Sequence, residues 1–187
     1  MTPDLTAPAF PGAVIAAARD AAKSYLRIAE TSEDALIETL AASALALAEQ
    51  FLGRALILRG FSDVMPVSRG WQRLDAAPVQ AITTVTGIPA EGSAFALPAD
   101  AYAIDIDAEG EGWLRVIAPG TAGRVRVAFT AGAAAEWDDL PAPIRQGVVL
   151  LIAHLFAGAG GEAPPAAAGA LLRPWRRMRL ADAEHGA

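Results

Sequence analysis

The stretch Leu36–Arg59, LIETLAASALALAEQFLGRALILR, decides the fold, because the spacing of its apolar residues changes within it. Up to Phe51 the pattern is helical, with Leu36, Ile37, Leu40, Ala44, Leu47 and Phe51 on one stripe. Thr31 or Ser32 can cap this helix, and Glu33 and Asp34 in its first turn face the positive end of its dipole. Gly53 stands where a left-handed helix stop belongs. Beyond it the period drops to two, and β-branched and aromatic residues come in short runs between Gly, Pro and Asp. The predicted strands are Ala55–Arg59, Val64–Val67, Trp71–Leu74, Ala81–Ile88, Tyr102–Asp107, Trp113–Ile117 and Arg124–Phe129, read as hairpins of one small antiparallel sheet. The turn Glu109-Gly110-Glu111-Gly112 is the clearest hairpin signal among them.

On the N-terminal side, Val14, Ile15, Ala18, Ala22 and Tyr25 recur at helical spacing and predict a helix over Pro11–Leu26. The link to the second helix is short, so the two are expected to pack as an antiparallel pair. On the C-terminal side the helical period returns at Leu140, where Pro141 and Pro143 suit a first turn and Ile144, Val148, Leu151, Ile152 and Leu155 form the stripe. Val149, Leu150 and Phe156 add apolar surface on its other faces, so this helix is either central or partly buried by a neighbouring subunit, and these three are candidate subunit-interface residues. From Gly158 to Gly169 the chain is Gly, Ala and Pro with one charge, Glu162, and reads as a flexible linker. The expected organisation is a helical pair over 1–54, a β-rich insertion over 55–132, a third core helix in 133–158, and a linker with a basic arm over 159–187. This is one α+β domain, a small helical bundle of about three main helices with an inserted antiparallel sheet.

The chain has 187 residues, 53% of them hydrophobic, but alanine inflates that fraction and aromatic residues reach only 6%. The core must rest on a few Leu, Ile, Val and Phe stripes. Fifteen basic residues against twenty-one acidic ones, a net charge of -6, argue against a surface that grips nucleic acid all over. The absence of cysteine removes disulfides and thiolate chemistry, and two histidines leave little for imidazole catalysis. No G-x-S-x-G elbow, Walker loop or H-E-x-x-H occurs, so neither an enzyme nor a cofactor or metal is expected. Asp105, Asp107, Glu109 and Gly110 mimic the start of a calcium loop, but Val116 sits where the bidentate glutamate is required, and the flanks are strands. Gly158–Gly161 follows a helix and not a strand, which excludes a dinucleotide fingerprint. His154, without a second ligand at helical spacing, reads as a hydrogen-bonded core or interface histidine. Met1–Ala18 has Asp4 and three prolines where a signal peptide needs positive charge and an apolar run, and the apolar stretch Gly147–Gly158 is too short to span a bilayer. A soluble protein made in the cytoplasm, with no membrane partner, is expected.

Charge is unevenly distributed. Between Arg73 and Arg115 there is no basic residue, while Asp75, Glu91, Asp100, Asp105, Asp107, Glu109 and Glu111 are acidic. Asp105, Asp107, Glu109 and Glu111 form a candidate acidic surface, facing a partner or a channel. The opposite charge is concentrated in Leu171-Leu172-Arg173-Pro174-Trp175-Arg176-Arg177-Met178-Arg179. Guanidinium forks and a large aromatic anchor among leucines suit docking to a protein better than a solvated tail or a nucleic-acid contact.

Three blocks together resemble a known family. The first is Ala22-Lys23-Ser24-Tyr25-Leu26-Arg27-Ile28, followed by Glu33-Asp34-Ala35-Leu36-Ile37 and Gly53-Arg54-Ala55-Leu56. The second runs from Val125-Arg126-Val127-Ala128-Phe129-Thr130-Ala131-Gly132 into Leu140-Pro141-Ala142-Pro143-Ile144-Arg145-Gln146, and the third is Leu171–Leu180. Over Pro11–Leu180 their order is similar to that of head-tail connector, or adaptor, proteins of tailed phages and phage-like gene transfer agents. The resemblance implies a structural virion protein at the head-tail junction, forming a ring of typically twelve subunits below the portal. Such a ring joins the portal to a stopper or tail-completion protein and continues the DNA channel without sequence-specific binding. In that setting Leu171, Leu172, Arg173, Trp175, Arg176, Arg177 and Arg179 are the candidate portal-binding residues. The alternative is a DNA-binding or packaging accessory protein that uses the same arginine-tryptophan segment.

Overall fold

The computed structural model describes residues 8–158 and 162–177. In chain order its elements are helices α1 (Gly12–Leu26) and α2 (Asp34–Leu52), strands β1 (Arg59–Pro66), β2 (Gln72–Arg73), β3 (Val79–Pro89), β4 (Phe95–Ala96), β5 (Tyr102–Ile106), β6 (Gly112–Val116) and β7 (Ala122–Ala131), and helices α3 (Ala142–Phe156) and α4 (Ala166–Leu172). Short 3₁₀ turns cover Ala99–Ala101 and Arg173–Trp175. The chain is α+β, and it divides into two compact units. One joins the residues up to Val14 with Ala55–Asp139, and the other joins Ile15–Arg54 with the chain from Leu140 onward.

In the β unit, the single sheet expected from the sequence is two antiparallel sheets. Long β7 is paired on both sides and gives the order β1-β7-β3-β4, whereas short β6 pairs with β2 and β5. Alternation along β7 turns Val125, Val127 and Phe129 into a core that Leu74, Leu114 and Val116 complete from the other sheet. The expected strand Ala55–Arg59 starts only at Arg59; before it Ile57 makes one isolated parallel bridge to Ala134. Gly132 makes that approach possible. Its φ is +146°, and a Cβ there would lie 2.3 Å from the Leu58 nitrogen. The neighbouring segments then exchange hydrogen bonds from Leu58 N to Ala134 O (2.8 Å) and from Ala134 N to Leu56 O (2.9 Å). Arg59, buried at the start of β1, donates to the carbonyls of Pro8 and Ile57 and lies over the rings of Phe10 and Phe61.

The helical unit departs from the expected pattern in an informative way. The face of α2 turned inward is Ile37, Ala41, Ala44, Leu45, Ala48 and Leu52, while Leu36 (52%), Leu47 (42%) and Phe51 (37%) keep much of their surface in solvent. Small alanine side chains let α2 approach α3 closely, and the bulkier leucines one position away are left outside. The main packing of α2 is with α3, not with α1; α1 is tied to it by the ion pairs Arg19–Glu38 and Lys23–Asp34. Glu33, not Thr31 or Ser32, occupies the N-cap, and it makes no side-chain cap bond. Gly53 ends the helix in the left-handed region, at φ 66°, as its position implies.

Candidate functional site

The C-terminal segment is built from the end of the supposed linker. Pro165 precedes Ala166, and the alanine run that follows is the strongest helix-forming composition available, so the chain from Ala166 onward is helix α4 and not a free tether. Leu172 closes α4 at 2% exposure, and Gly147 on α3 makes room for it: a Cβ at that glycine would lie 2.9 Å from Leu172 Cγ. Leu172 is therefore a core residue, which removes it from the candidate docking set, and Leu171 is half-buried.

Past α4, Arg173, Trp175 and Arg176 are exposed and Arg177 is half-buried. The Arg177 amide donates to the carbonyl of Leu52 (2.9 Å), which fixes this segment beside the end of α2. The Arg176 guanidinium lies 5.5 Å from the centre of the Phe51 ring. Burial first, and then the like charge of Arg177, pull the Arg54 guanidinium below its ordinary pKa. The Arg54 Nε is buried without a hydrogen-bond partner among the described residues. Arg179 lies outside the described residues.

Between α2, α3 and α4 runs an apolar groove of about 530 Å³, walled by Leu47, Phe51, Leu151, Pro164 and Ala168, with Arg173 at its edge. Sequence periodicity missed it because it assigned Leu47 and Phe51 to the core. A second signal was present: α2 is long and apolar enough by composition alone to cross a bilayer, and Leu36, Leu40, Leu47 and Phe51 widen its apolar arc beyond one packed face.

The other candidates separate clearly. Val149 is 5% exposed, so the monomer already covers it and it leaves the interface set; Leu150 and Phe156 are half-buried. Of the four acidic candidates, Asp105 and Glu109 are exposed, Asp107 is half-buried and Glu111 is buried. Asp107 organises the turn: one carboxylate oxygen accepts from the amides of Glu109 (3.1 Å) and Glu111 (2.8 Å), the other from Trp113 Nε1 (3.0 Å). The acidic surface thus shrinks to Asp105 and Glu109, because the Asp107 carboxylate holds the turn and Glu111 is buried. His154 is half-buried, and its Nε2 is buried without a hydrogen-bond partner among the described residues, unlike the bonded histidine expected. Among the described residues no group of three His, Asp or Glu is placed to hold a metal ion.

The fold is similar to chains in solved gene transfer agent (GTA) structures. One, from the neck of an empty GTA particle computed with C6 symmetry, aligns at a TM-score of 0.73 and 28% identity over 92% of this chain and 96% of that one. Another, from the neck of a native GTA particle computed with C12 symmetry, aligns at 0.71 with the same identity and coverage. A third, from the virion of a native GTA particle, aligns at 0.68 and 30% identity over 92% of this chain and 94% of that one. The chain belongs to the GTA head-tail connector family. No protein-family model and no curated protein matches the sequence. The role of a GTA neck connector is structural and not enzymatic.

Proposed function

We propose that the protein is the adaptor subunit that forms a ring, of typically twelve copies, below the capsid portal and joins it to a stopper or tail-completion protein. The observation that carries this reading is the likeness over nearly the whole chain to neck structures of six- and twelvefold symmetry. The end Trp175-Arg176-Arg177, with Trp175 and Arg176 exposed and the Arg177 amide held against the end of α2, is the portal contact: an aromatic anchor beside guanidinium groups suits a carboxylate-bearing surface. Repetition around a ring multiplies effective concentration, so each contact can be modest. Asp105 and Glu109 project from the β5–β6 hairpin, and where that hairpin faces the DNA channel they repel passing phosphates.

The test is retention on the cognate portal. Substituting Trp175→Ala together with Arg176→Glu should weaken portal binding by about tenfold or more, as loss of an aromatic and an arginine anchor does elsewhere. Unchanged retention would remove the portal role of this segment. A DNA-binding accessory role for the same arginines would instead appear as DNA retention that falls steeply with salt.

A further inference from the structure

The helical unit carries two exposed patches that complement each other. At one end of α2, Leu47 and Phe51 wall the apolar groove, with Arg173 at its edge. Near that end are Arg173 at the groove, Arg176 over the Phe51 ring, and Arg54 within reach of the charge of Arg177, with Glu49 on the last turn of α2. At the other end of α2, Leu36 is exposed, and so is Tyr25 at the end of α1. Glu30 and Glu33 are exposed in the same segment, as is Arg27, while the cations Arg19 and Lys23 are engaged with Glu38 and Asp34. One end is therefore apolar with a cationic rim, and the other is apolar with two exposed carboxylates against one exposed guanidinium.

We propose that the groove of one subunit receives the Tyr25–Leu36 end of the next copy, with Glu30 and Glu33 facing Arg173. This inference rests on the ring reading and specifies its contact. Two different patches on one chain that match each other make a heterologous contact, the kind that closes into a ring when the rotation allows. A self-matched patch would instead give a dimer. Complementary charge at the rim sets the register, and the leucines and aromatic rings supply the desolvated centre. Trp175 is exposed and is not among the groove walls, so it stays available to the portal.

The chain has no cysteine, so an engineered pair reports without background. Leu36 and Leu47 lie on one helix about 16 Å apart at 1.5 Å per residue, too far for a disulfide within a subunit. Rings of the L36C/L47C variant, assembled on the portal and oxidised, should give a ladder of multimers beyond the dimer, and neither single variant should. Rings that are visible by electron microscopy but give no ladder would overturn the proposal while leaving the ring reading intact. Dimers from either single variant would overturn it in favour of a self-matched contact. Absence of any ring from the unmodified protein and its portal would overturn the ring reading itself. As a second measurement, Glu33→Arg and Arg173→Glu should each lower ring yield by about tenfold, and the double variant should recover it. Failure of the double variant to recover yield also counts against the contact.

Discussion

Replacing Leu172 by alanine probes the joint that fixes the C-terminal segment. The side chain is all but fully buried against Gly147, and truncating a leucine in such a site costs about 2–5 kcal/mol. At about 2–4 °C per kcal/mol for a chain of this size, a mid-range loss of ~3 kcal/mol lowers the melting temperature of the helical unit by roughly 6–12 °C. The complementary change, Gly147→Ala, places a Cβ 2.9 Å from Leu172 Cγ and 3.0 Å from its Cδ2, an overpacking that costs about 1–3 kcal/mol. If the two residues share one space, the double variant must be less destabilised than the sum, because the alanine at 147 then occupies room that Leu172 has vacated. Calorimetry or denaturant unfolding of the two single variants and the double variant closes the cycle, with exposed Arg173→Ala as a control expected within about 0.5 kcal/mol of the unmodified protein. Additive losses, or a Leu172→Ala loss no greater than that of the control, would refute the anchoring of α4.

Other consequences are equally open to measurement. Asp63 on β1 accepts the Asp75 amide at 2.8 Å; burial raises its pKa, the hydrogen bond lowers it and the Asp75 charge adds to the rise, for a net increase. A raised folded-state value means that the folded protein holds this proton more tightly than the unfolded chain. Its contribution is fully present at low pH and is lost as pH rises through the folded pKa. Asp63→Asn should therefore match the unmodified protein in acid and exceed it at neutral pH, and a constant difference across the titration would contradict the assignment. Gly132→Ala drives a Cβ into the backbone of Ile57 and Leu58 and should cost ~3 kcal/mol or more, seen as loss of cooperative unfolding or of soluble protein. Asp107→Ala leaves two turn amides and the Trp113 indole without their acceptor and should cost about 1–3 kcal/mol in denaturant unfolding, whereas Asp105→Ala, exposed, should cost almost nothing.

The change of period at Gly53 was legible in the sequence, and with it the helix–sheet–helix order, because a left-handed stop and a switch in spacing are local signals. Which face of α2 packs was not. Periodicity weights large apolar residues, but the apolar arc of α2 is wider than one packed face, and the part turned inward is Ile37, Leu45 and Leu52 among alanines, which leaves Leu36, Leu47 and Phe51 outside. Helix α4 was hidden in a run rich in Gly, Ala and Pro, where the same composition serves a linker or, after a proline start, a short helix. The split into two sheets depends on which strands pair at long range, which strand propensity does not encode. The charge asymmetry survived in thinner form. Arg173, Trp175 and Arg176 are exposed, but Leu172 and Val149 went to the core and Asp107 to a turn.

Electron microscopy of the protein mixed with its cognate portal tests the central claim most directly. A single ring of this chain, coaxial with the portal and bound on its tail-facing side, is the expected result. A protein that remains monomeric and unbound beside intact portals, or that assembles on any other surface of the particle, would contradict it.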